Sequence, residues 1–138
     1  MAKLLRDKVA LVTGASRGIG RAIAVAMADE DAKVALTGRD IGRLNEVKEQ
    51  IQVVGGQSDI WKMDVSSETE VEQSVNKILD SWGQIDILVN NAGIIHPDTP
   101  VWRTSISDWD EEMATNLRGT FLCCHYVVPH MVKRQLEW

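Results

Sequence analysis

The sequence predicts an α/β fold, a doubly wound parallel sheet with helices on both faces, and three observations carry that reading. Apolar runs of strand length alternate with amphipathic helical segments along the 138 residues, the pattern of a sheet covered on both sides. A glycine-rich turn, Thr13-Gly14-Ala15-Ser16-Arg17-Gly18-Ile19-Gly20, follows the apolar run Val9–Val12 and opens onto a helical pattern. A later run, Ile85–Val89, is apolar nearly throughout, as a central strand buried on both faces should be.

Each element has its own warrant. Lys8–Thr13 is the first strand. From about Ile19 to Glu30 a helix is predicted, with Ile19, Ile23, Ala26 and Met27 on one face,. Val34–Thr37 is a short second strand, and Ile41, Leu44, Val47 and Ile51 mark the helix after it. Gly55-Gly56 ends that helix and starts a turn. Ser58–Met63 reads as the third strand. Ser66 or Ser67 can cap a third helix carrying Val71, Val75, Ile78, Leu79 and Trp82, which Gly83 stops,. After Ile85–Val89, a loop with Pro97 and Pro100 leads to a long helix from near Ser107. Its expected apolar stripe is Met113, Leu117, Phe121, Cys124, Val128 and Met131, with a kink or an end near Pro129,. No repeat or linker divides the chain, so residues 1–138 read as one domain with right-handed crossovers.

Composition narrows the partners. With 44% hydrophobic and 25% charged residues the chain reads as an ordinary soluble domain, large enough for a real core,. A net charge of −5 argues against nucleic acid or an anionic membrane as the main partner,. No apolar run approaches a membrane span of roughly 20 residues, and Val9–Val12 is too short for a signal-peptide core. Cys123 and Cys124 are adjacent, without metal-ligand spacing, and read as small apolar filler,. His96, His125 and His130 are too scattered for a metal site or a triad, so no metal is expected. A reducing, cytoplasmic setting fits.

The glycine turn is a device for holding a pyrophosphate. Gly14 lets the chain turn sharply off the strand, Gly18 clears space where a phosphate must approach, and Gly20 lets the helix pack tightly on the sheet. The helix start then offers its unpaired N–H groups and dipole to the anion. The spacing Thr13-Gly14-x-x-x-Gly18-x-Gly20 resembles the cofactor loop of the short-chain dehydrogenase/reductases. Asn90-Asn91-Ala92-Gly93 and Asn116-Leu117-x-Gly119-Thr120-Phe121 agree with that family in order and approximate spacing. The resemblance runs from about Lys8 to the C-terminus.

It implies a Rossmann-like sheet in strand order 3-2-1-4, lacking the family's later strands, with the site where the order reverses between strands 1 and 4. It also implies a nicotinamide dinucleotide as cofactor. Ser16, Arg17 and Ile19 resemble the phosphate contacts, beside Gly14, Gly18 and Gly20. Asp64 and Val65 match the position that holds the adenine, and Asn91, Ala92 and Gly93 match the loop beside the adenosine ribose. Asn90 is expected to tie strands together. Strand 2 ends Leu36-Thr37-Gly38 without an acid and is followed by Arg39. A guanidinium there, with Arg17 nearby, suits a 2′-phosphate, so NADP is expected ahead of NAD. Asp40 is expected to point elsewhere.

The implied chemistry is hydride transfer between the nicotinamide and a small-molecule carbonyl or alcohol. It calls for a serine, a tyrosine, a lysine four residues later and an asparagine. Asn116 is the matching member. The single tyrosine, Tyr126, precedes His130 by four residues, and Lys133 is seven away; packing is the expected role of Tyr126, and capping that of Ser105 or Ser107. The chain ends where the family has its fifth strand, and Trp138 looks like a cut. The expectation is therefore the amino-terminal part of a longer oxidoreductase, or a shortened reading frame. The alternatives are an inactive nucleotide-binding module and a fragment that self-associates through the open edge of strand 4, giving homo-oligomers.

Overall fold

Strand β1 (Val9–Val12) lies inside a four-stranded parallel sheet, with β2 (Lys33–Gly38) and then β3 (Gln57–Lys62) on one side and β4 (Ile87–Val89) on the other. The order β3-β2-β1-β4 is the expected one. The computed structural model describes residues 2–134, so Trp138 lies outside the described residues.

Side-chain alternation along β1 divides the core. Val12 joins Leu36, Leu44, Val47 and Ile51 beneath helices α1 (Gly18–Asp29) and α2 (Ile41–Val53). Leu11 joins Met63, Val71, Val75 and Ile78 on the other face, under α3 (Glu68–Trp82). Both faces of β1 are therefore apolar, which is why its sequence alternates with nothing polar. Helix α3 begins as expected: the Ser67 hydroxyl accepts from the Glu70 N–H at 3.3 Å, and Gly83 closes the helix at φ +77.

Three expectations are corrected. The buried face of α1 is Gly20, Ala24 and Ala28; Ile23 and Met27 only flank it, Ala26 is exposed, and Ile19 is 73% exposed. The helix runs so close to the sheet that a Cβ on Gly20 would stand 2.2 Å from the Gly14 carbonyl oxygen. Small residues therefore face inward.

Strand β4 is shorter than expected and only half-buried. Among the described residues it pairs with β1 alone, so its other edge is open.

The last helical region starts at α4 (Ile106–Glu112), capped by Ser105, passes through a π-helical stretch at Met113–Arg118 and continues as α5 (Gly119–Lys133). It runs through Pro129 rather than ending there. Its buried residues are Thr115, Gly119, Leu122, Cys123, Val127 and Met131, while Leu117 and Phe121 are 66% and 62% exposed. A π turn holds more residues than an α turn, so a stripe counted at α spacing leaves the buried face. Gly119 fixes the actual face: its Cβ would meet Val65 Cγ2 at 2.6 Å.

Candidate functional site

The carboxyl ends of the strands open into a cleft of about 1030 Å³. It lies at the reversal of strand order between β1 and β4, where open α/β sheets bind ligands. The turns after β1, β2 and β3 and the loop after β4 all reach it, bringing together Gly14, Ser16, Arg17, Gly18, Ile19, Arg39, Asp64, Val65, Asn91, Ala92 and Gly93. Gly20 and Asn116 do not line it.

The turn after β1 has the backbone the glycines suggest. Gly14 and Gly18 adopt φ +61 and +56, a region other residues enter at a cost,. A Cβ on Gly14 would crowd the Ala92 Cα at 2.9 Å, whereas one on Gly18 would meet nothing within 4 Å. Gly14 is thus pressed against protein and Gly18 faces open space. Helix α1 starts at Arg17 without a side-chain cap and without an acid in its first turn. Helices α2, α3 and α4 are capped by Asp40, Ser67 and Ser105. The first N–H groups of α1 therefore lack such an acceptor beside the cleft, the arrangement that receives an anion.

A polar knot joins the two halves of the lining. Thr13 Oγ1 accepts from the N–H groups of Asn91 and Ala92, both at 3.0 Å, and the Asn91 amide nitrogen donates to the carbonyls of Thr13 and Gly14, both at 3.1 Å. The strand tie expected of Asn90 is made by Asn91. Asn90 instead donates to Cys124 Sγ at 3.4 Å, because consecutive residues leaving a strand point to opposite sides.

The Asp64 carboxylate accepts from the Ser66 N–H and hydroxyl, which sets the turn after β3. Asn116 lies in the π-helical stretch, and its side chain is fully engaged with Ile94: Nδ2 donates to the Ile94 carbonyl at 2.7 Å and Oδ1 accepts from the Ile94 N–H at 2.8 Å. It braces the loop after Gly93.

Arg43, Lys62, Met63, Ile94 and Thr115 also line the cleft and were not expected there. Lys62 and Met63 could have been found by asking which residues close each strand, since the ends of parallel strands face the ligand. Arg43 carries no such signal. Asp40, expected to point elsewhere, also reaches the cleft. Arg17, Arg39 and Lys62 make no side-chain ion pair or hydrogen bond among the described residues.

Tyr126 is away from the cleft. Its hydroxyl donates to Glu68 Oε1 at 2.8 Å. That hydrogen bond, some desolvation and the charges of Glu68 and Glu72 raise its pKa above the ordinary value. The protonated form is favoured on folding, so the stability it adds is in place below about pH 10 and is lost as pH rises through the raised value. Tyr126→Phe is expected to lower the melting temperature slightly at pH 8, with the gap closing in alkali and cleft binding unchanged. A Phe variant that loses nucleotide binding would overturn the packing role.

The remaining candidates are absorbed by structure. Ser105 caps α4 by accepting from the Asp108 N–H at 3.0 Å. His96 meets Glu111 at 3.0 Å, and His125 packs between Phe121 and Tyr126. Burial pushes the Cys123 thiol up to about 12, with Cys124 adding to the shift. Among the described residues no group of three or more His, Cys, Asp or Glu could hold a metal, and no helix is long and apolar enough to cross a membrane.

Comparison with known proteins agrees with this geometry. The family profile described as short chain dehydrogenase matches residues 8–136. The chain is 38% identical over 129 residues to the oxidoreductase YxbG of Bacillus subtilis, covering 94% of this chain and 47% of that protein. It is 38% identical over 130 residues to the 3-oxoacyl-acyl-carrier-protein reductase FabG of Staphylococcus epidermidis, covering 94% of this chain and 53% of that one. A crystal structure of a metagenomic short-chain oxidoreductase in complex with NADP superposes with a TM-score of 0.92 at 35% identity, over 96% of this chain and 60% of the other. The chain thus spans about half the length of the curated relatives it matches. A glycine turn under an uncapped helix, at the switch point of a 3-2-1-4 sheet and within a family match of nearly the whole chain, places this protein in the short-chain dehydrogenase/reductase family.

Proposed function

We propose that residues 1–138 form one nicotinamide-dinucleotide-binding unit of a short-chain oxidoreductase, with NADP preferred over NAD. The observation that carries the reading is the uncapped start of α1 beside Gly18, whose missing side chain leaves open space at the mouth of the cleft. A pyrophosphate fits that combination of free N–H donors, helix dipole and clearance. Ser16, Arg17 and the Ile19 backbone would hold it, Asp64 and Val65 would flank the adenine, and Asn91, Ala92 and Gly93 would pass the ribose. Arg17 and Arg39, without competing partners, suit a 2′-phosphate.

When bound, the dinucleotide supplies hydride to a carbonyl carbon or takes it from an alcohol carbon. The chain's own residues bind and orient it. Asn116 holds the loop that passes Gly93, so its contribution to chemistry runs through position. Among the described residues, Tyr126 is engaged with Glu68 outside the cleft, so it does not serve there as proton donor to the carbonyl oxygen. By the family resemblance catalysis would need a further serine and a Tyr-x-x-x-Lys; among the described lining residues the serine is Ser16, in the phosphate-binding turn, and no tyrosine is present.

Titration with NADPH, followed by nicotinamide fluorescence, is expected to saturate without consumption of NADPH in the presence of carbonyl compounds. No saturable change would overturn the reading. The half-buried β4, with one edge open, favours a second reading in which copies of the chain associate there,. Concentration-dependent oligomers without NADPH saturation would select it.

A further inference from the structure

Resting on the dinucleotide reading, in which Asp64 and Val65 flank the adenine, we propose that Arg118 is a positioning residue for nucleotide binding. It ties the turn after β3 to the last helical region and so sets where the adenine wall stands. Asp64 and Val65 line the cleft, and Arg118 does not.

The turn is first closed by its own bonds. Asp64 Oδ1 accepts from the Ser66 N–H at 2.9 Å and from the Ser66 hydroxyl at 2.7 Å, and the Asp64 N–H donates to Glu70 Oε2 at 3.0 Å. Glu70 belongs to α3, so these bonds fix the shape of the turn and its join to that helix. They do not fix its distance from the opposite wall, the loop Asn91–Gly93.

The π-helical stretch Met113–Arg118 touches both walls. Asn116 holds the loop through Ile94, and Arg118 Nη1 donates to the Ser66 carbonyl at 2.9 Å. Residues two apart on a helix point to different sides, so one short stretch can grip two walls. The next residue, Gly119, presses on Val65, where a Cβ would meet Cγ2 at 2.6 Å. Val65 and Ser66 are thus held one after the other.

Glu68 steers the guanidinium. Its Oε2 lies 3.8 Å from Arg118 Nη2, while its Oε1 accepts from the Tyr126 hydroxyl. Both side chains of the ion pair are about half exposed, so the pair itself is worth little. Its use is direction: it keeps the guanidinium beside Ser66, whose carbonyl receives a charge-assisted hydrogen bond. Without Arg118 the turn keeps its shape but loses its tie across the cleft, and a ligand must order it on binding. Every ligand that carries adenine should lose affinity alike, with or without a 2′-phosphate.

The test is titration of NADPH, NADH and 5′-ADP into the wild-type chain, Arg118→Met, Arg118→Lys and Tyr126→Phe. Urea midpoints and amide hydrogen exchange of residues 63–67 are measured on each. Arg118→Met is expected to weaken all three ligands about three- to fivefold and to speed exchange in the turn, with the urea midpoint near that of the wild type. Arg118→Lys keeps a charged donor and should recover most of the affinity. Tyr126→Phe should lower stability while leaving affinity and exchange in the turn unchanged, which separates positioning from packing. Arg118→Ala takes the place of the methionine variant should that one aggregate. Unchanged affinity without Arg118, a loss that lysine does not reverse, or a loss matched by a fall in the urea midpoint overturns the role and leaves dinucleotide binding standing. A wild-type chain that binds none of the three ligands overturns both readings.

Discussion

Gly20→Ala is expected to destabilise the chain by about 3 kcal/mol, the upper part of the range for overpacking a tight site. The added Cβ would stand 2.2 Å from the Gly14 carbonyl oxygen and 2.3 Å from the Asn91 amide nitrogen. Neither neighbour can yield freely. The carbonyl belongs to the turn that starts α1, and the amide is already held by two backbone acceptors. The helix must tilt off the sheet, carrying its free N–H groups away from the cleft, so NADPH binding should fail together with stability. Urea denaturation monitored by circular dichroism measures the first effect; a variant with the wild-type midpoint would sink the argument. Gly18→Ala is the control. Its Cβ meets nothing, so only the positive φ, at about 1 kcal/mol, opposes it,.

Thr13→Val is expected to cost about 1 to 3 kcal/mol, although valine has nearly the same shape. The hydroxyl accepts from two backbone N–H groups, Asn91 and Ala92, in a residue that is 1% exposed. Removing it leaves the Ala92 N–H without that acceptor, while the Asn91 N–H keeps the Val89 carbonyl at 3.1 Å. Thr13→Ser keeps the oxygen and should recover most of the loss. The same urea experiment decides it, and a valine variant as stable as the serine one would show that the knot carries little. Because Asn91–Gly93 hang from this knot, weaker NADPH binding is expected wherever stability falls.

The contrast between these residues and others explains what the sequence could disclose. The glycine turn, the Ser67 cap and the stop at Gly83 are local: each is a residue type demanded by one backbone conformation, and each is readable without the fold. The strand order followed from family resemblance, and the cleft lining from knowing where strands end. What stayed hidden depends on depth or on convergence. Ile19 looks like core by periodicity, but α1 lies too close to the sheet for large side chains, so glycine and alanine take the inner face. Leu117 and Phe121 fit an α stripe that the π turn displaces. Asn90 and Asn91 are the same residue type, and only the direction in which β4 ends tells which one reaches Thr13. Arg43 joins the cleft because α2 begins beside it, a fact about tertiary placement that no spacing encodes.

The pairing of β1 with β4 gives the cleft a particular place in the folding reaction. Val9 faces Lys33 across β1 and β2, joined through one helix, whereas Ala10 faces Ile87 only after two strands and three helices have intervened. Closing that roughly threefold longer loop costs about 1 kcal/mol more chain entropy, and only three residues of β4 offset it. The end of the cleft built on β1, β2 and β3 rests on short-range closures. The end carrying Asn91–Gly93 rests on the longest one. The half of the site nearest β4 is therefore expected to form last, which pulsed hydrogen exchange during refolding would check by later protection of Val89 and Asn91 than of Val34 and Leu36.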